Sequence, residues 1–230
     1  MFLIGGGAFS GTTLLTLLLN QPSLVCLDEP DFHDPRQAHR GIPFLRALFP
    51  QRVFPDPPAR PLGYEETVRL TEDCARAIEP LRLGVKTCDR PFLGLSRVYR
   101  RRGYPVIAIV RDIRDVLVRD LPAWVTEASL NASYRMIWRE IGGFDLWFRY
   151  EDLVADPDAA LASISAVLSC SLRAPRSWRP EAVQPTMLKL DRHDLLKTGR
   201  ISAERVGIWK ASGRRFERET HETAKLMGYA

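Results

Sequence analysis

The sequence predicts an α/β fold, a three-layer parallel sheet flanked by helices, and three features point to it. Short apolar runs suited to strands buried on both faces recur along the chain, among them Phe2-Leu3-Ile4 and Pro105 to Val110. Helix-length stretches separate them, as crossover connections between parallel strands require. The runs also end in glycine or polar residues, and in open α/β sheets ligands bind beyond the carboxyl ends of the strands.

Taken in order, Phe2-Leu3-Ile4 is a first strand ended by Gly5-Gly6-Gly7, and Gly11 to Asn20 reads as a helix stopped by Pro22. Leu24 to Leu27 is a second strand, leading into Asp28-Glu29-Pro30. Phe32 to Pro61 is rich in Pro, Arg and His, with a helix expected around Ile42 to Phe49, and reads as a surface excursion. A helix over Tyr64 to Leu81 precedes a third strand at Leu83 to Lys86, and Phe92 to Arg102 forms a helix with its basic end at the C-terminus. Pro105 to Val110 is a strand that runs into Arg111-Asp112-Ile113-Arg114-Asp115. Helical stretches reach Ile141, Asp145 to Arg149 is a strand, and one helix is expected from Glu151 through Leu168. The Arg-rich last third has helices expected near Ser202 to Ala211 and Glu217 to Met227. Five tryptophans, Trp124, Trp138, Trp147, Trp178 and Trp209, are expected mainly in the core.

The chain has 230 residues, 45% apolar and 27% charged, which suits one domain with a core of its own. Its net charge of +5 comes from 33 basic residues, 28 of them Arg. A planar guanidinium matches phosphate and sulfate oxygens, and so modest an excess favours a compact anion over a nucleic acid. Cys26, Cys74, Cys88 and Cys170 form no C-x-x-C pair, and the four histidines are scattered, so no disulfide framework and no metal site is expected. Met1 to Leu27 carries no charge but is broken by glycines and lacks a basic start, so a buried strand, turn and helix are expected rather than a signal or anchor. Neither membrane insertion nor nucleic-acid binding is expected, and a cytoplasmic location is.

Gly5-Gly6-Gly7-Ala8-Phe9-Ser10-Gly11-Thr12-Thr13 joins strand to helix, an anion cradle of backbone N–H groups and hydroxyls. The spacing from Gly6 to Gly11 copies the loop of ATPases and GTPases, but Thr12 stands at its lysine, which disfavours a nucleoside triphosphatase.

Ser10-Gly11-Thr12-Thr13-Leu14-Leu15 after a glycine-rich strand end resembles the 5′-phosphosulfate loop of the sulfotransferases that use 3′-phosphoadenosine 5′-phosphosulfate (PAPS). Val110-Arg111-Asp112-Ile113-Arg114-Asp115-Val116-Leu117-Val118 is similar to that family's 3′-phosphate segment, and Phe148-Arg149-Tyr150-Glu151-Asp152-Leu153 to a strand-to-helix junction common in it. Val206-Gly207-Ile208-Trp209-Lys210 resembles its cofactor-closing segment, and the ending Leu226-Met227-Gly228-Tyr229 is also similar. The pieces come in the family's order, and the chain looks most like its bacterial-type small-molecule members.

The resemblance implies a P-loop NTPase-like fold and a single sulfotransferase domain over 1–230, with 32–61 as a lid or substrate-side excursion and 173–216 as a cofactor-closing region. It implies transfer of a sulfuryl group to a hydroxyl of a small-molecule acceptor, without a metal, releasing 3′-phosphoadenosine 5′-phosphate (PAP). Gly7, Ala8, Phe9, Ser10, Gly11, Thr12 and Thr13 would hold the 5′-phosphosulfate, and Arg111 with Arg119 the 3′-phosphate. Tyr150 would lie near the adenine, Trp209 near the cofactor, and Arg200 and Arg205 would stand in for an absent Arg-Lys-Gly triplet. Lys86 would face the transferring sulfonyl. Glu29 would be the base, extended by the proline after it, with His33 next and Asp89 third.

Two departures stand out. Phe9 occupies the place of the family's loop Lys or Arg, and Arg119 that of its 3′-phosphate Ser. The acceptor pocket would be lined by 32–61 and by Trp124 to Met136, whose apolar content suggests a lipophilic or aromatic alcohol. Two other readings are a P-loop small-molecule kinase and a nucleotide-binding module that has lost turnover. Basicity concentrates in two stretches: Lys86 to Arg119 has nine basic and three acidic residues, and Arg173 to Arg218 twelve and five.

Overall fold

A computed structural model describes residues 1–30, 41–173 and 201–230. Five strands, β1 (Phe2–Gly6), β2 (Leu24–Asp28), β3 (Arg82–Cys88), β4 (Val106–Val110) and β5 (Leu146–Arg149), pair in parallel in the order β2-β3-β1-β4-β5. From β1 the chain steps out to the edge strand β2, returns to β3 beside β1, and then crosses β1 to add β4 and β5 on the other side. The carboxyl end of β1 is therefore the point where the winding reverses, and a crevice opens there.

The period of two along each strand feeds two cores. Phe2 and Ile4 join Ile107 and Ile109 under α1 (Thr12–Leu19) and α8 (Pro157–Leu168), with α7 (Tyr150–Ala155) alongside. Leu3 joins Val106, Ala108 and Val110 on the opposite face, under α4 (Asp89–Arg101), α6 (Glu127–Glu140) and α9 (Arg218–Leu226). A third cluster packs α2 (Ile42–Leu48), α3 (Tyr64–Ala77) and Phe54 on Val25, Leu27 and Leu83. A short helix α5 (Ile113–Leu117), capped by the Asp112 side chain, follows β4. This is the expected three-layer α/β fold.

Three local expectations change. The helix expected from Glu151 to Leu168 is two helices, because Pro157 has no N–H to continue the first, and Asp156 caps the second by accepting the Ala159 N–H at 2.9 Å. Ser202 to Ala211 is no α-helix but a loop with a 3₁₀ turn at Ile208–Ala211, since its N–H groups are drawn to a carboxylate described below. Among the described residues no tryptophan is fully buried: Trp124 is 76% and Trp147 37% exposed, Trp209 is half-buried, and Trp138 is half-buried against the edge of the core; Trp178 lies outside the described residues. Aliphatic side chains fill the layers instead, and Trp138 and Trp147 meet edge to face beside the outer strand β5, ring centres 5.5 Å apart.

Arg100, Arg101 and Arg102, the basic end of the helix expected over Phe92 to Arg102, lie at the surface, where Arg101 and Arg102 pair with Glu65 and Glu72 of α3. Among the described residues no helix is long and apolar enough to cross a membrane, and no cluster of His, Cys, Asp or Glu could hold a metal ion.

Ile109 is fully buried in β4 between the layers. Ile109→Ala is expected to lower the unfolding free energy by about 2–5 kcal/mol, seen in denaturant titration as a lower midpoint with unchanged slope.

Candidate functional site

Between β1 and α1 the backbone is pressed against two tyrosines. A Cβ on Gly7 would lie 2.3 Å from the Tyr134 ring, and one on Gly11 would lie 2.3 Å from Tyr150. Gly11 also has φ +102°, so a side chain there is excluded twice. With glycine at its N-cap, α1 starts without a side-chain cap, and the residues of its first turn, Thr12, Thr13 and Leu14, border a cavity of about 610 Å³. First-turn N–H groups have no partner within the helix, so this end of the cavity attracts anions.

The neighbouring strand ends supply charge. Asp28 and Lys86 are register partners across β2 and β3. The Lys86 Nζ, on a side chain only 4% exposed, lies 3.0 Å from Asp28 Oδ1 and donates to Glu29 Oε1 at 2.6 Å. Burial disfavours its ammonium, but Asp28, Cys88 and Glu29 outweigh that, so the lysine stays charged well above its usual range. Asp89, at the start of α4, accepts the Ala8 N–H at 2.9 Å and the Ser133 hydroxyl, tying the loop to α4 and α6.

From β4 comes Arg111, 2% exposed, its guanidinium 4.2 Å from the centre of the Tyr150 ring. It donates through Nη2 to the Arg205 carbonyl, while its buried Nε has no partner among the described residues. Two residues of α5 continue the grip on the C-terminal segment. Arg114, paired with Asp112 at 2.7 Å, lies under Trp209, and the Asp115 carboxylate accepts the N–H groups of Gly207 at 2.7 Å and Trp209 at 3.1 Å. Tyr229 donates to Glu151 Oε2 at 2.8 Å.

One cavity thus brings together most of the residues singled out from the sequence. Ala8, Phe9, Gly11, Thr12 and Thr13 border it from the loop, Glu29 and Lys86 from β2 and β3, and Arg111, Arg119, Tyr150 and Arg205 from the opposite side. Gly7 and Ser10 lie behind the loop, Gly7 beneath Tyr134 and Ser10 fully buried. Trp209 also stands apart, its ring 3.9 Å from the Arg114 guanidinium. His33 and Arg200 lie outside the described residues. Asp28, Thr87, Cys88, Asp120, Ile201 and Ser202 also line the cavity. The register of β2 against β3 is what joins Asp28 to Lys86, and no local sequence signal carries it.

Glu29 is not extended: its φ is +44°, with its N–H on the Lys86 carbonyl at 2.9 Å and its carboxylate on the Lys86 ammonium, which together outweigh the preference set by Pro30. The Lys86 ammonium pairs with both Asp28 and Glu29. Phe9 at φ 66° and Asp89 at φ 54° are left-handed too, so three of the four non-glycine residues at positive φ among those described border this cavity. Strained backbone of this kind gathers at functional sites.

No family model matches the sequence. No curated protein matches it either. Solved structures do match. The crystal structure of mouse sulfotransferase SULT7A1 complexed with PAP aligns over 98% of this chain and 81% of that one, at 15% sequence identity and a TM-score of 0.50. The likeness is one of fold. It agrees with the P-loop-like α/β architecture built above.

Cys88 borders the cavity with its Sγ 3.4 Å from Thr12 Oγ1, and burial pushes its thiol up to about 12 despite the Lys86 ammonium nearby. The folded chain then keeps a proton that the unfolded chain loses, so this group's share of stability falls as pH rises from the ordinary thiol range toward that value. Alkylation of Cys88 by iodoacetamide, followed by peptide mass spectrometry, is expected to be slow at pH 7 and to accelerate with pH above the range where a free thiol levels off.

Proposed function

We propose that this chain is a PAPS-dependent sulfotransferase acting on a hydroxyl of a small-molecule acceptor, a single domain over 1–230 with 32–61 on the substrate side and 173–216 closing over the cofactor. The observation that carries this reading is the cavity itself, where a side-chain-free helix start faces three arginines, Arg111, Arg119 and Arg205, with Lys86 at one wall. A ligand with two separated anionic groups suits that arrangement, and the orphaned Nε of buried Arg111 is a donor awaiting one.

PAPS would supply the sulfuryl group and leave as PAP. Thr12, Thr13 and the first-turn N–H groups of α1 hold the 5′-phosphosulfate. Arg111, fixed by Tyr150, takes the 3′-phosphate, with Arg205 adding positive potential on the same side. Lys86 faces the transferring sulfonyl, where cations and aligned donors stabilise developing charge. The acceptor oxygen forms the new S–O bond, the bond from sulfur to the 5′-phosphate oxygen breaks, and Glu29 receives the hydroxyl proton on a carboxylate oxygen. Lys86 keeps Asp28 as counter-charge when Glu29 is neutralised, so the step leaves no buried cation unpaired.

The 2.6 Å bond from Lys86 to Glu29 also favours a second reading, a module that binds the nucleotide without turnover, because an ion-paired carboxylate is a weak base. Calorimetry with PAP tests the shared part: binding is expected, with a loss of about tenfold or more in Arg111→Ala and a smaller one in Thr12→Ala. No binding, or binding unchanged in both variants, would sink the proposal. Sulfate transfer from PAPS to a panel of small alcohols separates the two readings. For an enzyme, Glu29→Gln should keep PAP affinity while kcat drops by about a hundredfold or more.

A further inference from the structure

The anion loop brings no cation of its own. Met1 to Leu27 contains no charged side chain, and at the position where the loop could have carried one stands Phe9. Lys86 is engaged by Asp28 and Glu29, and Arg111 is stacked on Tyr150 and bonded to the Arg205 carbonyl. Arg119 is placed differently. It follows the end of α5, its N–H on the Val116 carbonyl at 3.2 Å, and its guanidinium carbon lies 5.9 Å from the centre of the Phe9 ring. That is the outer range of a cation–π contact.

Arg119 borders the same cavity as Thr12 and Thr13, and among the described residues no carboxylate pairs with it. Burial first, and then the like charges of Arg111 and Arg205, make it a weaker base than an ordinary arginine, against a smaller opposing effect of Tyr150 and Tyr134. A half-buried guanidinium that shares one cavity with two others has an electrostatic cost that an anion there lowers. The Phe9 backbone is held left-handed, so the ring's place is set by the loop rather than by the cation.

We propose that Arg119, seated on the Phe9 ring, supplies the positive charge for the anion held at the Thr12-Thr13 end of the loop, so that cradle and cation come from opposite sides of the cavity. The inference rests on the cofactor reading above for the identity of that anion, and it moves Arg119 from the 3′-phosphate to the 5′ side. If it is correct, a lysine rooted in the loop can replace Arg119.

The test is a reciprocal exchange, with PAP binding measured by calorimetry for the wild type, Arg119→Ser, Phe9→Lys and the double variant. Arg119→Ser is expected to weaken binding by about tenfold or more, and adding Phe9→Lys to restore most of that loss. Binding by Arg119→Ser within about twofold of wild type overturns the proposal. So does a loss that the loop lysine does not reduce, the result expected of a 3′-phosphate contact. Thermal unfolding checks each variant, and Arg119→Gln replaces Arg119→Ser if the latter does not fold. A wild type that binds no PAP overturns the cofactor reading instead. The same four proteins titrated with inorganic pyrophosphate then decide the charge assignment, which stands on the same loss and recovery and falls without them.

Discussion

The contact on which the cavity depends is the stack of Gly11, Tyr150 and Arg111. Tyr150 can approach the loop only because residue 11 has no side chain, and the face of its ring then fixes a guanidinium that is almost wholly buried. That guanidinium holds the Arg205 carbonyl, so three distant parts of the chain are positioned by one ring. Dispersion and cation–π attraction make the stack favourable, but its larger effect is geometric, since a preorganised cation costs little to bring to an anion.

Around the stack, charge is divided by wall. The Lys86 side is a closed group in which two carboxylates and one ammonium largely settle one another. On the other wall Arg119 is not settled in this way, because Arg111 and Arg205 act on it as like charges. A compact polyanion relieves the second wall without disturbing the first. The basic stretch from Lys86 to Arg119 is therefore less uniform than its composition suggests. Arg97, Arg101 and Arg102 are spent on surface carboxylates of α3 and α6, and only Lys86, Arg111 and Arg119 reach the cavity.

The strands and the loop were legible in the sequence because both are local: apolar runs of strand length, then glycines where the backbone must turn tightly. Arg111 was legible for the same reason, as the first polar residue after the most apolar strand. Features made by distant partners were not. The left-handed Glu29 follows from a bond to Lys86, 57 residues away. The missing helix at 202–211 follows from Asp115, 92 residues before Gly207, which takes N–H groups a helix would have used. The tryptophans misled because a large apolar side chain predicts average burial, whereas layers built from Leu, Ile and Val had no room that favoured an indole.

Asp115 holds the C-terminal segment by its backbone, through hydrogen bonds from the N–H groups of Gly207 and Trp209. Such a latch is indifferent to most side chains along the strap it fastens. Gly207, with φ 71°, is the position that must keep its identity, while Val206, 37% exposed, is open to change. Relatives of this chain could therefore drift widely in the letters of this segment while still docking it in the same place, which makes residues 206–210 a poor guide to kinship and Asp115 a better one.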